Sequence, residues 1–246
     1  MCIRDRLWNG GGIVNIHDAF TRSLELGFVI MILTVLLSLS AGLAFRKRFP
    51  GARLLFFVAV ASLIVPSIVT SLGIALEFRL LDDFLKNHGP DWLAVDLKTT
   101  MGTFTSGLGA HLTWTLPFGL LIMFAIFNRF DGRLEEAARD LGATPWQTFR
   151  HVVLPIILPS VVGIGLFGFT LSWDELARSS QAIGSVNTLP LELQGLTTTV
   201  TKPDIYALGT LTSAVSFLVI FTALIVILVL QARQRRHGSD AGKGMV

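Results

Sequence analysis

Charged residues leave five long gaps in this chain, at Leu26–Phe45, Leu54–Leu76, Leu108–Asn128, Val152–Trp173 and Ile205–Leu230. Each gap reaches the roughly 20 apolar residues that carry a helix across a hydrocarbon core. Five such runs cannot all be buried core helices in a chain of 246 residues. The pattern therefore predicts membrane spans over about 24–45, 54–76, 108–128, 152–173 and 205–230. The expected fold class is an all-α integral membrane protein, a polytopic helical bundle of five spans in one membrane domain. Composition agrees. Hydrophobic residues make up 52% of the chain and charged residues 15%, where a soluble domain carries about a quarter charged.

The polar stretches between the runs set the orientation. Connection one carries Arg46, Lys47, Arg48 and Arg53 with no acid, and connection three carries Arg129, Arg133, Arg139 and Arg150. The tail adds Arg233, Arg235, Arg236 and Lys243. Lys and Arg concentrate on the cytoplasmic side of short loops. These three segments are therefore expected inside, with the C-terminus, while connections two and four face outward. A net charge of +3 on basic residues spread beside spans, not gathered in a patch, gives no reason to expect nucleic acid. The single cysteine, Cys2, excludes disulfides and cysteine-based metal sites within the chain. An inside C-terminus after five spans puts the N-terminus outside, so a lost first span is expected. Residues 1–6, MCIRDR, resemble a translated sequencing adapter. They are set apart as an artefactual leader from the membrane domain at 7–246.

Connection three is the most informative segment. Asp131 is placed to cap a helix whose first turn holds Glu135 and Glu136, where the helix dipole favours acids. Gly142 follows the helix, as the residue best able to adopt the left-handed conformation that ends one. Thr144-Pro-Trp-Gln147 then reads as a capping box with proline at the first helical position. The spacing predicts two short helices joined at a glycine over 131–151. Pro155 and Pro159 mark the entry and an early bend of the fourth span.

This segment resembles a known signature. Glu136-Ala137-Ala138, three residues, Gly142, nine residues, then Val152-Val153-Leu154-Pro155 is similar to the Glu-Ala-Ala loop of binding-protein-dependent ABC importer permeases. Val152 stands where the pattern has isoleucine. The resemblance implies a type I importer permease that moves a small solute inward by alternating access. It implies that Glu136, Ala137, Ala138, Gly142, Leu154 and Pro155 form a coupling site for a cytoplasmic ATPase. The implied partners are two ATPase subunits, a second permease subunit, an extracytoplasmic solute-binding protein and membrane lipid, in a bacterial inner membrane. No G-x-x-x-x-G-K-[ST] segment is present, so ATP would be bound by the separate ATPase and this chain needs no cofactor or metal. An ATP-independent secondary carrier is the rival reading. A membrane-embedded enzyme is third, with no nucleophile–base set to support it.

Other signals are weaker. Gly163-Ile-Gly165-Leu-Phe-Gly168 matches a dinucleotide motif by letter, but inside an apolar run it reads as close helix packing. His111, near the outer end of the third span, is either a functional intramembrane group or a side chain reaching interfacial water. Ser62, Pro66, Ser67, Thr70, Ser71 and Gly73 make the second span polar and breakable, which suits a translocation path or helix packing equally. Trp173, Asp174 and Glu175 end the fourth span. They form either an interfacial belt with ordered loop acids or a cation site built on charge and an aromatic face. Arg178 lies within reach of both acids if the helix continues. The stretch from Ser172 through Asn187–Pro190 to Pro203–Leu208 resembles the spermidine/putrescine branch of the family. Ferric-ion, opine and phosphonate importers look similar.

Overall fold

The computed structural model describes residues 16–47, 49–90, 98–199 and 203–241. The expected leader, Arg48, the middle of connection two at 91–97, Lys202 and Lys243 lie outside the described residues. Everything regular within them is helical: α1 Ile16–Phe45, α2 Ala52–Ala61, α3 Ser67–His88, α4 Leu108–Arg129, α5 Arg133–Asp140, α6 Pro145–Thr148, α7 Leu154–Trp173, α8 Ser179–Ala182, α9 Leu189–Thr199 and α10 Pro203–Ala241. Wide π-type turns lead into α4 at Thr103–Gly107 and into α7 at Phe149–Val153.

Four of the five expected spans are continuous apolar helices long enough to cross a membrane: Ile16–Phe45, Thr103–Arg129, Pro145–Trp173 and Ile205–Leu230. The fifth run, 54–76, is divided. Ser62 Oγ folds back onto the carbonyl of Ala59, and Leu63 and Ile64 close tight turns onto Val60 and Ala61. Pro66 then offers no N–H and disfavours helical geometry at Val65. α2 accordingly lies along α4, from the Phe56–Phe124 ring contact at 4.8 Å to a hydrogen bond from Ser62 Oγ to the Thr113 carbonyl. α3 starts afresh beyond the break. Asp82 on α3 accepts hydrogen bonds from the Thr99 and Thr100 hydroxyls and the Thr100 N–H. Burial works to raise its carboxyl, but these bonds outweigh that and hold it below the usual range.

α1, α4 and α7 form the heart of the bundle. The buried positions of α1 are Ala19, Ser23, Leu26, Gly27, Ile30, Thr34, Ser38 and Gly42, a stripe with helical spacing made mostly of small residues. Lipid supplies no hydrophobic drive for helix association, so close backbone approach and interhelical hydrogen bonds must do that work. Both are present. Thr34 and Thr115 share a buried hydroxyl–hydroxyl bond of 2.8 Å between α1 and α4. A Cβ on Gly119 would collide with Ser38 of α1, and one on Gly168 would sit 3.1 Å from Thr34 Cβ. Gly165 also faces α1, while Gly163 meets open space. Two of the three motif glycines thus serve packing. Met123, Val153, Ile157, Val161 and Ile164 fill the core toward one end, and Phe169, Trp173 and Leu189 toward the other. The outer faces of α3 and α10, including Leu80, Phe217, Leu218 and Phe221, are exposed apolar surface suited to lipid or another membrane chain.

Gly119→Val should therefore destabilise the bundle by about 1–3 kcal/mol through overpacking, lowering the thermal midpoint in detergent. Gly163→Val, facing open space, should stay within about 0.5 kcal/mol of the parent. Equal midpoints for the two variants would refute the close α1–α4 approach.

Candidate functional site

Two groups of residues carry the candidate chemistry, one at each end of the bundle. The first is the loop between α4 and α7. Asp131 Oδ1 accepts the backbone N–H of Arg133, but the N-cap position of α5 falls on Gly132, which has no side chain to cap it, and not on Asp131 as expected. At the other end of α5 the Gly142 N–H bonds the Arg139 carbonyl at 2.8 Å, and the Ala143 N–H bonds the Ala138 carbonyl at 3.0 Å. This pair of bonds, closed around a residue in left-handed geometry, is the Schellman motif. Gly142 has φ of 85°, a conformation that side-chain-bearing residues rarely adopt. α6 begins one turn later under a complete capping box. Thr144 Oγ1 accepts the Gln147 N–H, and Gln147 Oε1 accepts the Thr144 N–H at 2.8 Å.

The glycine hinge and the capping box expected from the residues are therefore present, and the result is a pair of short helices joined at Gly142. Their outer surface is apolar in places: Leu141 is 90% exposed and Trp146 64%. Glu136 and Ala137 are exposed as well, on the same short helix. The wide turn at Phe149–Val153 carries the loop into α7, where Leu154 donates its N–H to the Phe149 carbonyl across five residues. Pro155 takes an early helical position and Pro159 lies inside α7. Sequence reasoning missed that wide turn. Glu135, partly covered, makes a 2.6 Å ion pair with Arg46 at the end of α1 and a longer one, 3.6 Å, with Arg139. The Arg46 pair places connections one and three at the same end of the molecule.

The second group lies at the opposite end. Here the helix stops at Trp173, and Asp174 is its C-cap. The expectation that Trp173 offers a ring face to a cation does not fit its position. Trp173 is 1% exposed, stacked on Phe169 at 5.8 Å and met edge-on by Phe20 at 5.6 Å. It is no interfacial belt residue either. Asp174 is exposed, though the protein behind it strips solvent from one side and pushes its carboxyl up. Glu175 is half-buried and accepts the backbone N–H of Arg178 at 3.0 Å.

Because the helix ends, Arg178 does not pair with those acids along a helical face as expected. Its guanidinium turns inward, fully buried, 4.8 Å from the ring centre of Trp114, and none of its three nitrogens has a hydrogen-bond partner. Burial lowers its pKa, partly offset by the nearby Glu175 carboxylate. Beside it, His111 is also buried and bridges the hydroxyls of Ser172 at 2.9 Å and Ser179 at 3.0 Å. His111 thus ties α4 to both sides of the turn and does not reach interfacial water. Ser71 of α3 donates to the Ala177 carbonyl, which brings the early part of α3, with Thr70 adjacent and Ser67 one turn before, up to the 174–179 segment. Ser71 thus joins the helix that carries Ser67 and Thr70 to the segment that carries Asp174 and Glu175. Among the described residues no group of three metal-ligating side chains occurs.

Comparison with known proteins places this architecture. The chain is 30% identical to the spermidine/putrescine transport system permease protein PotC of Haemophilus influenzae, over 95% of this chain and 82% of the relative. It is 33% identical to the putrescine transport system permease protein PotI of Escherichia coli, over 67% of this chain and 55% of the relative. Among solved structures, the inward-facing methionine ABC transporter MetNI superposes with a TM-score of 0.67, covering 87% of this chain and 95% of that one at 17% identity, a likeness of fold. The family model described as binding-protein-dependent transport system inner membrane component matches residues 26–237. The all-helical, multi-pass chain belongs to that family, the inner-membrane permeases of ABC importers.

Proposed function

We propose that this permease couples ATP hydrolysis on a separate polypeptide to inward movement of a small polyamine-type cation by alternating access. The observation that carries the coupling is the loop at 131–151. Both of its helices are capped, its hinge is locked by Gly142 in left-handed geometry, and Leu141 and Trp146 stand out from it. A connector that only joins two spans has no use for an exposed leucine and tryptophan on a rigid frame. A partner groove does, because apolar side chains so exposed mark an interaction surface. Glu136 adds a carboxylate for a basic group on that partner, and the small Ala137 and Ala138 admit a close backbone approach. The partners of this reading are two ATPase subunits, a second permease and an extracytoplasmic binding protein.

Closure of the ATPase pair would move the loop as a rigid body and switch the bundle between inward-open and outward-open states. Leu154 and Pro155, at the start of α7, form the junction through which that motion enters the core. The loop end of the bundle faces the cytoplasm in this reading, together with the C-terminus of α10. A cysteine placed at position 187 should then react with an impermeant thiol reagent added outside, and one at position 133 should not. Reaction at 133 from outside would invert the topology and remove the coupling role.

Coupling itself is tested by two substitutions. Glu136→Lys puts a cation where the partner is expected to offer one, and Gly142→Val forces a β-branched residue into a φ near 85°. Both variants should insert normally yet lose ATP-dependent uptake by tenfold or more. Normal uptake in both would reduce the loop to a connector.

The cation reading draws on the names of the relatives and on Asp174 and Glu175 at the outer end. With Trp173 covered, those acids are its main support here, next to Ser67 and Thr70 on α3. A second reading is favoured by Arg178, whose buried guanidinium lacks a hydrogen-bond acceptor and so suits a solute bearing a carboxylate or phosphonate. Uptake separates them. Asp174→Asn with Glu175→Gln should cut polyamine uptake at least tenfold while binding-protein stimulation of the ATPase persists. Uptake of an anion and not of a polyamine by the parent, lost in Arg178→Gln, would establish the second reading.

A further inference from the structure

Arg46 joins the end of α1 to two elements far from it in sequence, α4 and α5. It stands just past the C-terminus of α1, where the helix dipole favours a cation. Its guanidinium lies 4.9 Å from the ring centre of Phe127 in α4 and 5.3 Å from that of Phe130, which ends α4. From there it reaches the Glu135 carboxylate of α5 at 2.6 Å. Both charged side chains are mostly withdrawn from solvent, 28% exposed for Arg46 and 13% for Glu135. Arg46 also borders two open recesses. One, of about 290 Å³, is lined by Phe45, Phe56 and Phe124, and the other, of about 320 Å³, by Leu43, Trp146 and Phe149. The link between α1 and the loop is therefore flanked by open recesses.

We propose that Arg46 is a positioning residue, a strap that makes the end of α1 follow the displacement of α5. The inference rests on the coupling reading above. α5 is tied covalently to α4 and, through α6, to α7, but α1 has no covalent link to the loop. Yet α1 is the helix whose small-residue stripe holds both α4 and α7. Without a strap, motion of the loop would reach α4 and α7 and leave α1 to follow only through the packed seam. With it, the three central helices receive the displacement together. Arginine suits the task because its delocalised guanidinium sits over aromatic rings and still brings its charge within ion-pair distance of a carboxylate, a combination that an ammonium does not reproduce.

The test is a double-substitution cycle in the complete transporter reconstituted in vesicles, with Arg46→Gln, Glu135→Gln and the two combined. Solute uptake per ATP hydrolysed is measured, and ATPase co-purification with Arg46→Gln is followed separately. Each single variant should lower uptake per ATP about fivefold or more, and the double variant should be no worse than either single one. Arg46→Lys should fall between parent and Arg46→Gln, since it keeps charge and loses the flat contact. ATPase co-purification with Arg46→Gln should match the parent. Multiplying losses in the double variant would show that the two residues act independently and would overturn the strap. Loss of the ATPase from Arg46→Gln would put Arg46 in the docking surface and overturn it equally. If parent uptake needed no ATP at all, the coupling reading itself would fail, a result visible before any variant is compared.

Discussion

In hydrocarbon, two apolar helices gain little by touching each other instead of lipid, so the bundle depends on how closely α1 can approach α4 and α7. The answer lies in a handful of missing atoms. Gly119 leaves room for Ser38, and Gly168 and Gly165 leave room for Thr34, Met31 and Val35. The Thr34–Thr115 hydroxyl pair then closes a polar contact where no water competes. Long side chains would hold these backbones apart. Both functional ends inherit their geometry from this seam, since α4 and α7 flank the loop at one end and supply His111, Ser172 and Trp173 at the other.

The spans and the loop were legible because each rests on local chemistry. An uncharged run of membrane length admits few alternatives, and four of the five runs are continuous helices. The hinge of the loop was legible to the residue: Gly142 has the left-handed φ, and Thr144 and Gln147 form the reciprocal cap. The fifth run carried its own warning in Ser62 and Pro66, although the sequence alone could not show that α3 would restart beyond the break and meet the 174–179 segment through Ser71.

The outer site was much less legible, and for a definite reason. Which way Trp173 and Arg178 face depends on where α7 stops and on what packs there from Phe20 and Trp114, both on other elements. A helical projection continued past Trp173 pairs Arg178 with the acids, but one turn of non-helical backbone sends it into the interior instead. His111 was hidden in the same way. Its partners, Ser172 and Ser179, lie more than 60 positions away, and no periodicity in the sequence links them.

The wide turn at Phe149–Val153 has a consequence for the kind of motion this junction can pass on. It holds one more residue per turn than the α-helix that follows, with Leu154 bonded back across five residues. One residue of α-helix corresponds to about 100° of rotation. Tightening that turn to ordinary helix would swing the whole loop around the axis of α7 by an angle of that order, with little change in its height. The proline at 155 cannot donate the bond that would stiffen the next register. The extra residue in this turn thus sets the rotational position of Leu141 and Trp146 about the axis of α7.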